Sequence, residues 1–134
     1  MSIVVGYIPT PEGAAALSHA AEEARLRSVP LVVVGSHSGG AAFDGDDVAR
    51  FEEALQTAGE ELAAAGLEYT VRGLVRGKDP SEDLIDVADE VGAEAIVIGL
   101  RRRTPVGKLL LGSNAQRILL DATCPVIAVK APGR

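Results

Sequence analysis

Short apolar runs alternate along this chain with longer stretches in which apolar residues recur every three or four positions. Residues 2–7 (SIVVGY), 31–36 (LVVVGS) and 95–98 (AIVI) are nearly continuous apolar runs rich in β-branched residues, the pattern of strands covered on both faces. Residues 68–75 (EYTVRGLV) and 125–130 (PVIAVK) read as two further strands. The first helix opens on Thr10, Pro11 and Glu12, which supply an N-cap, a proline at the first helical position and an early acid, and it should run to about residue 28. Val48, Phe51, Leu55, Ala58 and Leu62 fall at helical spacing before a capping Gly66, and residues 37–46 ahead of them read as an irregular connection. Asp79, Pro80, Ser81 and Glu82 form a capping-box-like start for a helix that turns Leu84, Val87, Ala88 and Val91 inward and ends at Gly92. Residues 113–122 make the last helix, with Ala115, Ile118, Leu119 and Ala122 on one face.

Five strands alternating with helices predict a doubly wound α/β fold, a parallel sheet with helices on both faces, because right-handed crossovers leave few other arrangements. Residues 1–134 read as one domain without internal repeat or linker. In such sheets ligands bind beyond the carboxyl ends of the strands, where the strand order reverses, which directs attention to the loops after strands one and four.

Composition sharpens this picture. Apolar residues make up 47% of the chain but include only two Tyr, two Phe and no Trp, so the core should be aliphatic. The longest apolar runs fall far short of the ~20 residues of a membrane-spanning helix, the N-terminal MSIVVGYIP lacks the pattern of a signal peptide, and the single Cys124 has no internal disulfide partner. A reducing, cytoplasmic location is the expectation. The net charge of −6 argues against nucleic acid or anionic membrane as a partner. Yet residues 95–120 hold five basic residues (Arg101, Arg102, Arg103, Lys108 and Arg117) and no acid, whereas the rest of the chain has 8 basic and 19 acidic residues. Such a patch suits one small anion better than a long polyanion.

The patch lies in the long connection between Gly99 and Gly112-Ser113. It is not a P-loop, which would need glycine at Arg102 and Ser or Thr at Leu109, and no G-x-G-x-x-G follows strand one, where Gly6-Tyr-Ile-Pro-Thr-Pro stands instead. No metal-ligand cluster is apparent, and His19 and His37 are isolated in sequence and read as surface or core residues. Cys124, before Pro125, reads as a small apolar core residue. A helix start at Gly112 offers free backbone N–H groups and the positive end of a dipole, with glycine admitting a ligand close to the backbone. Other readings of the same residues stay open: Ser113 with Gln116 as a capping box, Thr10 as a cap, Gly99 and Gly112 as turn residues, and the arginines as a solvated loop.

The spacing Gly99-x2-Arg102-x9-Gly112-Ser113, the five alternating strands and the ending Cys124-Pro-Val-Ile-Ala-Val-Lys130 resemble the universal stress protein family over essentially the whole chain. The resemblance implies an adenine nucleotide alpha hydrolase-like sheet in the order 3-2-1-4-5, with ATP or a related adenine nucleotide, and Mg2+ as its companion, held by the loops after strands one and four. The family's ATP-binding pattern, Gly-x2-Gly-x9-Gly-Ser/Thr, is met at Gly99, Gly112 and Ser113, while Arg102 replaces the second glycine and Ile8 replaces the acid that follows strand one. Carried onto this chain, Gly112, Ser113 and Asn114 present N–H groups to phosphate, and Arg102 and Arg103 neutralise its charge beside Arg101. Ile98 and Gly99 flank sugar and base, Ser36 lines the base pocket, and Ile8, Pro9 and Thr10 form the strand-one side. The resemblance also implies a homodimer through the last strand, at Val126, Ile127, Ala128 and Val129. The function implied is regulatory binding rather than turnover. The alternative is a nucleotide-free dimeric interaction module whose basic loop docks an unknown acidic protein partner. A slow ATP hydrolase ranks last, because neither a water-activating acid beside the loop nor a dedicated Mg2+ ligand can be read from the sequence.

Overall fold

The computed structural model describes residues 1–37, 45–75, 79–100 and 112–131. The strands are β1 (Ile3–Gly6), β2 (Leu31–His37), β3 (Tyr69–Val75), β4 (Ala95–Leu100) and β5 (Val126–Lys130), separated by helices α1 (Pro11–Arg27), α2 (Gly45–Ala64), α3 (Pro80–Val91) and α4 (Ser113–Asp121). All strand pairings are parallel, in the order β3-β2-β1-β4-β5, so the order reverses at β1 between β2 and β4. Ile3 lies opposite Leu31 on one side and Ala95 on the other, and Ile96 opposite Val126. The α/β class and the strand order match the sequence expectation.

The central strands are apolar throughout because each face meets a helical layer. Ile3, Val5, Leu31, Val33 and Val97 pack with Ala16, Leu17, Ala20 and Ala24 of α1 and Leu55, Ala58 and Leu62 of α2. Val4, Val32, Val34, Ile96 and Ile98 face Leu84, Val87 and Ala88 of α3 and Ile118 of α4 on the other side. Each fully buried aliphatic side chain of this kind contributes about 1.5–3 kcal/mol. The alanines at every fourth position of α1 bring its backbone close to the sheet, and its ends are closed by the Thr10 cap and by Ser28, which adopts left-handed backbone (φ 57°) and donates its N–H to Ala24 and Arg25.

Local boundaries depart from the sequence expectation where tertiary pairing overrides local pattern. β4 continues to Leu100 because its last residues find partners in β5, with Gly99 opposite Val129 and Leu100 opposite Lys130. Helix α2 begins at Gly45, inside the segment expected to be irregular, of which residues 38–44 lie outside the described residues. In α4 Ile118 is buried, but Leu119, expected on the inward face, is exposed; the helix touches the sheet along a narrow stripe that a wider periodicity overestimates.

Candidate functional site

A cleft of about 160 Å³ opens over the carboxyl ends of β1, β2 and β4, at the point where the strand order reverses. Three helix starts contribute to its walls: Glu12 and Gly13 from α1, Pro80 and Ser81 from α3, and Asn114 and Ala115 from α4. Val34, Leu84, Ile98 and Ile118 supply an apolar lining, and Ser36 stands at the end of β2. A larger open groove of about 700 Å³ lies between α2 and β3 beside Phe51, Leu55 and Tyr69, away from the reversal point. The smaller cleft is the better candidate, because buried polar side chains converge on it together with the positive ends of helices.

Glycines make this geometry possible. The backbone of α1 enters so close to the chain before it that a Cβ on Gly13 would lie 1.8 Å from the Ile8 carbonyl oxygen. A Cβ on Gly99 would lie 2.3 Å from the Glu12 carbonyl oxygen, so β4 and the first turn of α1 touch backbone to backbone. Gly99 thus has a structural reason to be glycine, and the strand-one and strand-four loops are held in contact by it. Thr10 accepts the Gly13 N–H at 3.0 Å, which commits its hydroxyl to capping α1.

The start of α4 is built differently. Gly112 is the N-cap, with ordinary extended backbone (φ −72°, ψ 167°), and among the described residues no side chain caps this end. Ser113 is therefore the first helical residue and not the capping residue of a box with Gln116, whose N–H instead reaches the Gly112 carbonyl at 3.0 Å. Helix α3 shows the same departure. Asp79 is its N-cap without a side-chain capping bond, and its carboxylate receives Arg117 of α4 at 3.2 Å, which ties the two helices together beside the cleft.

Polar groups that sequence reasoning missed lie in the cleft wall or directly behind it. Asp83 is fully buried in α3 and accepts a short hydrogen bond from Ser36 across the elements. The Ser81 hydroxyl is also fully buried and, among the described residues, has no hydrogen-bond partner. Glu12 is only 7% exposed, although it reads in sequence as a solvated acid of a helix start. The signal that could have found them is the presence of polar residues at the first turns of helices that follow buried strands, positions the topology carries to the carboxyl end of the sheet.

Of the residues expected at the site, Ile8, Ser36, Ile98, Gly99 and Asn114 line the cleft together. Ile8 is half-exposed at its rim, Pro9 is exposed, and Gly112 and Ser113 immediately precede the lining residues of α4. Arg101, Arg102 and Arg103 lie outside the described residues. Cys124 is half-buried against the α3–α4 side of the core, where burial and then the nearby Asp89 carboxylate push its thiol pKa up, so it stays a protonated, apolar-facing group at neutral pH. His19 lies on the surface of α1, 3.3 Å from Glu23. Among the described residues no group of three His, Cys, Asp or Glu could hold a metal ion, and no helix is long and apolar enough to cross a membrane.

The sequence model of the universal stress protein family matches residues 1–130. The chain belongs to this family. It is 44% identical over 133 residues to a universal stress protein of Mycolicibacterium smegmatis, covering 98% of each chain. Its fold is similar to that of a universal stress protein from Archaeoglobus fulgidus, with a TM-score of 0.86 and 45% identity over 97% of this chain and 98% of that one. A structure of the Archaeoglobus universal stress protein in complex with dAMP is similar at a TM-score of 0.80 and 40% identity, with the same coverage. A universal stress protein in complex with cAMP shares the fold at 23% identity and a TM-score of 0.75, over 98% of both chains.

Proposed function

We propose that this chain binds an adenine nucleotide in the cleft over β1 and β4 and acts as a regulatory binding domain, not through turnover. The observation that carries the reading is the cleft itself: apolar walls from Val34, Leu84, Ile98 and Ile118, a polar end from Ser81 and from Ser36, which is bonded to Asp83 behind it, and the start of α4 at its open side. The enclosed volume is smaller than the ~300–1,000 Å³ of whole-ligand pockets, so it takes the ring-shaped part of a nucleotide. The phosphates then extend toward Gly112, Ser113 and Asn114, where backbone N–H groups without a side-chain cap among the described residues favour an anion. Arg101, Arg102 and Arg103 follow β4 in sequence and supply cationic charge to the same ligand. Mg2+ would arrive with a polyphosphate. The dAMP bound by a 40% identical relative supports the choice of nucleotide.

The test is to denature the purified protein, identify any released nucleotide by chromatography, and titrate the nucleotide-free protein calorimetrically with ATP, ADP, AMP and cyclic AMP. Saturable binding is the expected result. Absence of release together with absence of binding at millimolar ligand would overturn the proposal in favour of a nucleotide-free module that docks an acidic partner through the basic loop.

We also propose a homodimer through β5. Among the described residues this strand pairs only with β4, so its outer edge presents unpaired backbone groups along Val126, Ile127, Ala128 and Val129. Leu119 and Leu120 on the adjoining α4 are exposed, Leu120 by 82%. Sedimentation should give a dimer at micromolar concentration; a monomer would count against this reading.

A further inference from the structure

The position of Glu12 points to a role that helix formation does not explain. Its side chain is nine-tenths buried and lines the cleft, yet among the described residues its carboxylate has no hydrogen-bond or ion-pair partner. An acid in the first turn of a helix gains from the dipole, but that benefit is equally available to a solvated one. Glu12 is not among the residues with a fully buried unpartnered polar atom, so the little exposure it keeps lies along the cleft it lines, where a donor on a ligand can reach its carboxylate. Beside it the fully buried Ser81 hydroxyl lines the same cleft and has no hydrogen-bond partner among the described residues.

The topology sets the order of these groups. Along the row β2-β1-β4, Ser36 stands at the end of β2, bonded to Asp83 of α3. Glu12 follows β1 by way of the first turn of α1 and touches Gly99 at the end of β4, while Asn114 of α4 lies beyond. A ligand that extends from the Ser36 side to the start of α4 passes Glu12 at its middle. A carboxylate accepts hydrogen bonds and donates none when ionised. It repels phosphate, and the ring-shaped end of the ligand is already met by Ser36 and Ser81. What remains for Glu12 is a neutral donor between ring and phosphate, and in a nucleotide that is the sugar with its hydroxyls. Other doubly wound sheets use an acid on a sugar hydroxyl from the end of their second strand; here the acid comes from the first turn of α1.

Resting on the nucleotide reading above, we propose that Glu12 is a specificity-determining residue of this cleft whose carboxylate accepts hydrogen bonds from the sugar hydroxyls of the bound nucleotide. The experiment is calorimetric titration of the full chain with AMP and with 2′,3′-dideoxy-AMP, which lacks both donors, for wild type, Glu12→Ala and the near-isosteric Glu12→Gln. The wild type should prefer AMP by roughly tenfold or more, the worth of a charge-assisted hydrogen bond. In Glu12→Ala that preference should collapse toward unity through lost AMP affinity, with dideoxy-AMP binding unchanged; in Glu12→Gln it should fall by at least threefold. Thermal unfolding of each variant checks that it is folded, and Glu12→Gln carries the test if the alanine variant is not. A preference that stays within twofold of wild type in the folded variants overturns the assignment of Glu12 while leaving nucleotide binding intact. Failure of wild type to bind either ligand overturns the nucleotide reading and this inference with it.

Discussion

The starts of α1 and α4 lie at the same end of the sheet and flank the same cleft, yet they are closed in opposite ways. At α1, Thr10 caps the helix, Pro11 occupies its first turn, and Gly13 and Gly99 let the backbone press against Ile8 and Glu12 at distances that a single methyl group would forbid. At α4, Gly112 takes up unstrained extended backbone, no side chain among the described residues caps the helix, and only Ile118 of its residues is buried. One helix start is committed to internal closure, whereas at the other no side-chain cap is found among the described residues. Glycine at α1 is a steric necessity within the chain; at α4, on the proposed reading, it admits a ligand close to the backbone.

Four outcomes would break or sharpen this contrast. The largest is expected for Gly13→Ala, which should lower stability by at least about 3 kcal/mol or prevent folding, because the new methyl collides with the Ile8 carbonyl. A loss below about 1 kcal/mol by urea denaturation would mean that the α1 start can shift aside. Gly112→Val should behave in the opposite manner. It should cost only about 1 kcal/mol, since valine tolerates the observed backbone, but nucleotide binding by calorimetry should disappear through steric exclusion. Retained affinity would remove α4 from the site.

Smaller effects separate the two helix starts further. Thr10→Ala should cost about 1 kcal/mol of stability for the lost cap, whereas Ser113→Ala should stay within about 0.5 kcal/mol because its side chain caps nothing. Equal losses in the two denaturation curves would contradict the different construction of the two ends. The smallest effect belongs to Arg117→Met, which removes exposed pairs to Asp79, Glu82 and Asp121. It should change stability by less than about 0.5 kcal/mol and vanish at high salt. A larger loss would show α4 to be held by more than its stripe around Ile118.

Part of the candidate cleft was legible before the structure. Ile8, Ser36, Ile98, Gly99 and Asn114, named from strand alternation, the glycine spacing and the family resemblance, line one cleft at the carboxyl end of the sheet. The capping role read for Ser113 was not borne out, since whether a helix begins on the glycine or the serine depends on how the preceding loop enters, which local pattern does not specify. Leu119 was misplaced for a related reason: apolar spacing defines a face, but how closely the neighbouring elements pack decides how much of that face is covered, and here it is the stripe around Ile118. Glu12, Ser81 and Asp83 escaped notice because each looks like an ordinary acidic or hydroxyl residue of a first helical turn.

By itself the sequence determined the alternation of strands and helices, the aliphatic two-faced core and the glycine-punctuated segment after the fourth strand, for these depend on periodicity and on residue-level stereochemistry. Only the tertiary structure decided which polar side chains lost their water. The approach of α1 to β4 buries Glu12, and the seating of α3 over β1 and β2 buries Ser81 and brings Asp83 to Ser36. Burial belongs to the packing of elements distant in the chain, and a polar group becomes chemically significant here when that packing removes its solvent without supplying a partner.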